Sequence, residues 1–226
     1  MWPRAGRHNR ALAYERGQFS LVSCEIGVVY TVYMPASSTA QKISVAARHL
    51  LDKEGADAIT MRQVADAVGI TAMAVYRHYA DRAALLNTLT NEGFDELAIL
   101  LSAARFSGDI EKRLEKVLDI YLDHALKNPR LFELMFLRQR EGARQYPRDF
   151  KAGRSPTANL MTELIQEGME TGYFRKDDPW EIAFEMGALL QGLIMLYLGG
   201  RMAMSPARFR TFCRRSFWRY FNGIRS

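Results

Sequence analysis

Cysteine is nearly absent from this chain. Cys24 and Cys213 are the only two, far apart and without metal-ligand spacing. That excludes a disulfide-stapled scaffold and a cysteine-built zinc site, and it suits a reduced, intracellular (cytoplasmic) protein with inert thiols. Also missing are a Gly-rich phosphate loop, a His/Cys/acid metal set and a nucleophile motif, so no cofactor, metal or enzymatic role is expected. The rival reading, an enzyme or carrier built on a helical bundle, has only the i, i+4 acid pair Glu163 and Glu167, a pattern typical of a solvated helix face. No apolar run approaches the roughly 20 residues that cross a bilayer. The short run around Ile26–Met34 is not followed by a small-residue cleavage site. No membrane partner is therefore expected.

What is present is enough for a core: 48% of 226 residues are hydrophobic, which fits one large or two small domains. The net charge is +6, with seven Arg and no acid in residues 201–226. Such a balance fits a nucleic-acid partner without demanding one.

The richest signal lies in residues 60–79, which read as two short helices joined by a turn at Gly69. Thr60 can cap the first, and Gln63 three residues later completes a capping box. Thr71 can cap the second. Ile59 with Val64, and Ile70 with Val75, stand where hydrophobic staples belong. Ala65 is small enough for two helices to cross closely. This is the pattern of a helix-turn-helix, whose second helix enters a DNA major groove.

Around this motif the chain reads as helical from residue 38 onward. Ile43, Ala46, Ala47, Leu50 and Leu51 form one helix face, with Gly55 placed to end it. Asp81 starts a long fourth helix and Gly108-Asp109 a fifth. Asn128-Pro129, Ser155-Pro156, Asp178-Pro179 and Ser205-Pro206 each pair a cap with proline at the first helical position. Leu131–Arg138 is the expected sixth helix, residues 139–154 a polar surface loop, and the seventh ends near Gly172. Residues 1–36 differ from the rest. Arg4, Arg7, Arg10 and Arg16 lack periodicity, and Leu21–Met34 has a strand-like composition with no partner strand expected elsewhere. We read this segment as a poorly ordered extension, with a basic arm reaching a DNA groove as the competing view. Met34 before Pro-Ala-Ser-Ser-Thr would make a natural domain start.

The region from Ile43 to Leu86 resembles the DNA-binding domain of the TetR family of transcriptional regulators. The matching elements are the helix ending near Gly55, Ile-Thr-Met-Arg-Gln-Val-Ala at 59–65, the Val-Gly-Ile-Thr turn at 68–71, Val75-Tyr76-Arg77-His78-Tyr79, and Asp81-Arg82-Ala83-Ala84-Leu85-Leu86. Tyr79 stands where the family usually has Phe, and Arg82 where it usually has Lys. The later helices are similar to the family's ligand-binding and dimerisation domain in number and order. A subtype named for a Trp-His-Gly signature is not assigned, because Gly187 and Gln191 occupy its Trp and His positions.

The resemblance implies an all-α fold of about nine helices. Its parts are an extension (1–36), a three-helix DNA-binding domain (37–84), and an all-helical ligand-binding and dimerisation domain (85–226). It implies double-stranded operator DNA, a second copy of the chain and a small apolar effector as partners, and repressor action as a homodimer on a palindrome. Thr60 and Thr71 mark the helix starts, and Ala72, Met73 and Ala74 the tip of the recognition helix. Arg62 is the candidate for a guanine contact, while Tyr76, Arg77, His78 and Arg82 serve the DNA backbone. Tyr79 is expected to pack in the small domain's core. Phe132, Met135, Phe136, Met161, Leu164, Met186 and Gln191 are candidate cavity residues, since Met-rich aromatic walls suit an adaptable apolar pocket. The penultimate helix is apolar nearly all round and the last has one apolar face. Leu189, Leu193, Leu196 and Phe217 are therefore the expected dimer contacts.

Overall fold

The computed structural model describes residues 18–23, 29–34 and 38–226. Arg4, Arg7, Arg10, Arg16 and Cys24 lie outside the described residues. Two strands, β1 (Gln18–Ser23) and β2 (Val29–Met34), pair antiparallel, with Gln18 opposite Met34 and Ser23 opposite Val29. The stretch Leu21–Met34, expected to lack a partner strand, folds back on itself, with Leu21, Val22 and Ser23 of β1 opposite Thr31, Tyr30 and Val29 of β2. Residues 1–42 and 43–226 form separate units.

From Thr39 on the fold is all-α. The helices are α1 (Thr39–Glu54), α2 (Met61–Val68), α3 (Ala72–Tyr76), α4 (Arg82–Ala103) and α5 (Ile110–Lys127). After them come α6 (Pro129–Phe136), α7 (Arg148–Lys151), α8 (Pro156–Glu170), α9 (Pro179–Leu198) and α10 (Pro206–Gly223), and a 3-10 turn spans Ala56–Ala58. Helix α7 lies inside the stretch expected to be a plain loop, and α6 starts and ends earlier than the periodicity suggested. The cause of α7 is local. The buried Asp149 carboxylate accepts from Arg148 (3.0 Å), from Arg154 (3.0 Å) and from the Gln145 backbone N–H (2.8 Å). Arg148 first, and then the Gln145 N–H, hold that carboxyl at about 2.

The helix starts at Thr60, Thr71, Asp81, Asp109, Asp178 and Ser205 carry side-chain caps as expected. Those at Asn128 and Ser155 do not. The Asn128 side chain is used elsewhere: its Oδ1 accepts from Arg48 Nη2 (2.9 Å), and its amide donates to the His124 carbonyl (3.0 Å).

Two cores organise this unit. Ile43, Ala47, Leu51, Val64, Ala65, Val75, Leu85 and Leu89 form the small one under the helix-turn-helix. Leu114, Leu118, Phe132, Ile165, Met186, Ile194, Phe209 and Phe217 belong to the larger one. Helix α6 serves both, because Leu131, Leu134 and Met135 face the small core and Phe132 the large one. Gly93 on α4 is what lets α6 lie so close. A Cβ there would stand 2.7 Å from Met135 Sδ and 3.0 Å from Leu131. Polar ties reinforce the junction. The Ser44 hydroxyl donates to the Glu92 carboxylate (2.6 Å), and Arg48 reaches both Glu96 (2.9 Å) and Asn128.

Helix α9 corrects the expectation about apolar runs. Its 20 residues are long and apolar enough, by length and composition, to cross a membrane. Ile182, Ala183, Met186, Leu190 and Ile194 are nevertheless buried in the bundle, and Glu181 and Glu185 stand exposed on its other side.

Candidate nucleic-acid interface and internal cavity

The turn between α2 and α3 depends on Gly69, whose φ of 77° is left-handed and favours glycine. Its N–H bonds back to Ala65 and closes α2. The capping box at α2 is complete: the Gln63 N–H donates to Thr60 Oγ1 (3.2 Å), and the Thr60 N–H donates to Gln63 Oε1 (3.0 Å). At α3, Thr71 Oγ1 accepts from the Ala74 N–H (3.2 Å). Ile59, Val64 and Val75 are buried, so the staples anchor both helices on the small core.

This leaves a free face. Met73 is 67% exposed and Tyr76 48%. Thr60, Arg62, Thr71, Arg77 and His78 are also exposed, and Ala72 and Ala74 are half-buried. Tyr79 turns inward and packs on the small core. An exposed helix carrying apolar tips, a phenol, a guanidinium and an imidazole can offer methyl contacts and several phosphate donors.

Arg82, expected to serve the DNA backbone, is also bound within the chain. Its Nε donates to the Ile59 carbonyl (2.6 Å) and its Nη2 to the Ala56 carbonyl (2.5 Å). The Ala56 carbonyl accepts the Ile59 N–H (3.2 Å) that closes the 3-10 turn, and this guanidinium binds it together with the Ile59 carbonyl. Arg82 thus fastens α4 to the entry of the helix-turn-helix.

The larger bundle holds a cavity of about 300 Å³ that is partly open to solvent. Met135, Phe136, Met161, Met186 and Gln191 line it, as expected. Phe132 and Leu164 do not. Both are buried in the packed core, where Phe132 sits against Tyr121 (5.8 Å between ring centroids) and Phe136 (4.5 Å). The expectation missed Tyr121 and the arginines 138, 140 and 144. Their chain segment was legible as Arg-rich, but only the fold brings it to the cavity. Tyr121 Oη is buried without a hydrogen bond of good geometry. Burial drives its phenol far above the ordinary range, with the Gln191 side chain as a weaker, opposing influence.

Among the expected dimer contacts, Leu196 is 44% exposed, while Leu189 and Leu193 are half-buried. Phe217 is corrected: it is fully buried inside the subunit against Trp218 and Phe221 and can meet no partner. On α10, Arg210 and Arg214 pair with Asp123 (2.6 Å) and Asp119 (2.8 Å) of α5. Its basic face is thus partly spent on packing. Glu167, one of the paired acids noted in the sequence, is bound to Arg113. Among the described residues no group of three or more His, Cys, Asp or Glu could hold a metal. Cys213 is buried, and burial pushes its thiol up to about 12, which leaves it inert at neutral pH.

Comparison with known proteins agrees with this geometry. Residues 43–89 match the family described as bacterial regulatory proteins, tetR family, and residues 114–216 match the tetracyclin repressor-like C-terminal domain. No curated protein matches by sequence. A solved structure of a protein of unknown function from Rhodococcus sp. RHA1 is 24% identical. It covers 84% of this chain and 97% of that one, with a TM-score of 0.69. A regulatory protein in the tetR family from Rhodococcus RHA1 is 23% identical over 84% and 98%, with a TM-score of 0.60. The fatty acid degradation regulator FadR from Bacillus halodurans is 17% identical over 81% and 96%, with a TM-score of 0.65. At these identities the structures speak to the fold. The two family matches, one over the helix-turn-helix and one over the bundle that holds the cavity, show that this chain belongs to the TetR family of transcriptional regulators, proteins that bind DNA and are not enzymes.

Proposed function

We propose that this protein is a cytoplasmic, ligand-responsive repressor that binds a palindromic operator as a homodimer. One observation carries the reading: the small core that holds the recognition helix and the bundle that holds the cavity share α6. Met135 and Phe136 line the cavity while Leu131, Leu134 and Met135 pack under the helix-turn-helix. Occupying the cavity would press on α6 and so tilt the DNA-binding helices. A bound small molecule then favours a state whose two recognition helices no longer match the half-site spacing.

The dimer would form through α9 and α10. Leu189, Leu193 and Leu196 leave an apolar strip on α9, beyond what the subunit's own core covers. In this reading Arg62 reads a base, Ala72, Met73 and Ala74 approach the groove floor, and Thr60, Thr71, Tyr76, Arg77 and His78 serve the backbone. The DNA-binding domain is 37–84 and the effector domain 85–226.

The test is to incubate the purified protein with random DNA fragments and sequence those it retains. A recovered palindrome, bound by two chains, supports the proposal. Retained DNA without a two-fold repeat, or no salt-dependent binding at all, refutes it.

A further inference from the structure

The cavity wall is apolar but its charge is one-sided. Arg138, Arg140 and Arg144 contribute to it, and no Asp or Glu does. Arg138 is committed to Asp57. Among the described residues the other two have no acidic partner. Arg140 donates to the neutral Asn91 Oδ1 (2.8 Å), and both guanidiniums lie over the Phe94 ring, at 5.8 Å for Arg140 and 5.4 Å for Arg144. Two like charges held together over one ring, partly out of water, form an arrangement that an anion would relieve. Burial first, and the neighbouring Arg144 second, pull the Arg140 guanidinium below its ordinary range.

The rest of the wall complements such a head group. Phe136, Phe150, Met161 and Met186 supply an apolar, polarisable interior. Tyr121 Oη, buried beside the Gln191 side chain without a hydrogen bond of good geometry, can donate to an acceptor on the ligand body.

Building on the effector-site reading above, we propose that the effector is an apolar acid. Its flat or flexible hydrocarbon body fills the cavity, and its single carboxylate or equivalent oxyanion is bound by Arg140 and Arg144. A neutral or cationic molecule of the same shape leaves that charge uncompensated and binds less tightly.

Three probes of one shape separate the possibilities: naphthoate, naphthalenemethanol and naphthylmethylamine, titrated calorimetrically into the full chain. Naphthoate should bind at least about tenfold more tightly than the alcohol, roughly the effect of one charge-assisted hydrogen bond. The amine should bind weakest. Arg140→Gln combined with Arg144→Gln should bring naphthoate down to the alcohol's affinity and leave the alcohol unchanged. A melting curve confirms that the variant folds. Gly187→Leu puts bulk on the cavity wall, where the first added atom, the Cβ, meets nothing nearer than Gln191 Nε2 at 3.7 Å, and its melting curve checks that it folds. It should abolish binding of every probe. If the alcohol or amine binds as tightly as naphthoate and Gly187→Leu removes it, the cavity is a ligand site and the anion assignment is wrong. If no probe binds, both the assignment and the effector-site reading fall.

Discussion

Arg138 and Asp57 form an ion pair that joins the cavity wall to the 3-10 turn leading into the helix-turn-helix. Arg138 lies just beyond α6, and Asp57 is held below the usual carboxylate range, chiefly by its hydrogen bond from Arg138. Arg82 grips the same turn from the other side through the Ala56 and Ile59 carbonyls. The turn before α2 is therefore clamped by one arginine from the DNA-binding half and one from the cavity. This exposed ion pair adds to the packing of α6 in both cores as a link between the cavity and the helix-turn-helix.

The exposed face of the helix-turn-helix predicts two kinds of DNA variant. Tyr76→Phe should weaken binding to specific and random DNA alike, because a phosphate contact carries no base information. Arg62→Ala should relax the preference at one base pair per half-site, by ~1–3 kcal/mol if its contact is bidentate. Fluorescence anisotropy on a set of singly mutated operators measures both. An equal loss on all sequences for Arg62→Ala would remove it from base reading.

Arg82 should behave as a structural residue. Arg82→Ala takes the side-chain donor from the Ile59 carbonyl and one of two donors from the Ala56 carbonyl, which keeps the Ile59 N–H (3.2 Å). We expect a stability loss of about 1–3 kcal/mol. Chemical denaturation followed by circular dichroism reads this directly. A variant as stable as wild type but weak on DNA would return Arg82 to the phosphate-binding role.

Assembly is tested on the strip of α9 that the subunit leaves uncovered. Leu196→Arg or Leu193→Arg should split the proposed dimer, since a charge there would be buried unpaired, and operator binding should fall with it. The interface should bury on the order of 1,500 Å² or more. Phe217→Asp, by contrast, should unfold the bundle, because Phe217 is core. Light scattering separates the two outcomes. A wild-type monomer at micromolar concentration that still binds a palindrome tightly would overturn the assembly.

His124 makes stability depend on pH. It is buried, its ring nitrogens have no hydrogen-bond partner among the described residues, and burial lowers its pKa despite Glu96 at 3.9 Å. A histidine whose folded pKa is depressed takes up protons more readily when unfolded. Its contribution is therefore fully present above about pH 6.5 and is lost as the pH falls through the lower, folded value. The melting temperature should drop on acidification, and His124→Gln should flatten that part of the profile. An unchanged slope in the variant would assign the pH dependence to other groups.

The local sequence was sufficient for everything that depends on short-range chemistry. Thr60 with Gln63, Thr71, Gly69 and Asp81 fix helix ends through bonds to residues three or four positions away, so their pattern predicts the helix-turn-helix without any tertiary information. The 3.6-residue periodicity of Ile43, Ala47 and Leu51 likewise announces a buried face. Tertiary structure decided what those rules leave open. Phe132 and Phe136 are both aromatic and stand four residues apart on one helix, yet one is buried in packed core and the other lines the cavity. Phe217 and Leu196 are equally apolar, but only the bundle geometry turns the first inward and leaves the second outside. Arg138 reads as the end of the sixth helix, and Arg140 and Arg144 read as part of a solvated loop, because solvation is the default for charge in a polar stretch. Their placement over Phe94 and against Asp57 follows from how α4, α6 and the 3-10 turn converge, which no local pattern encodes.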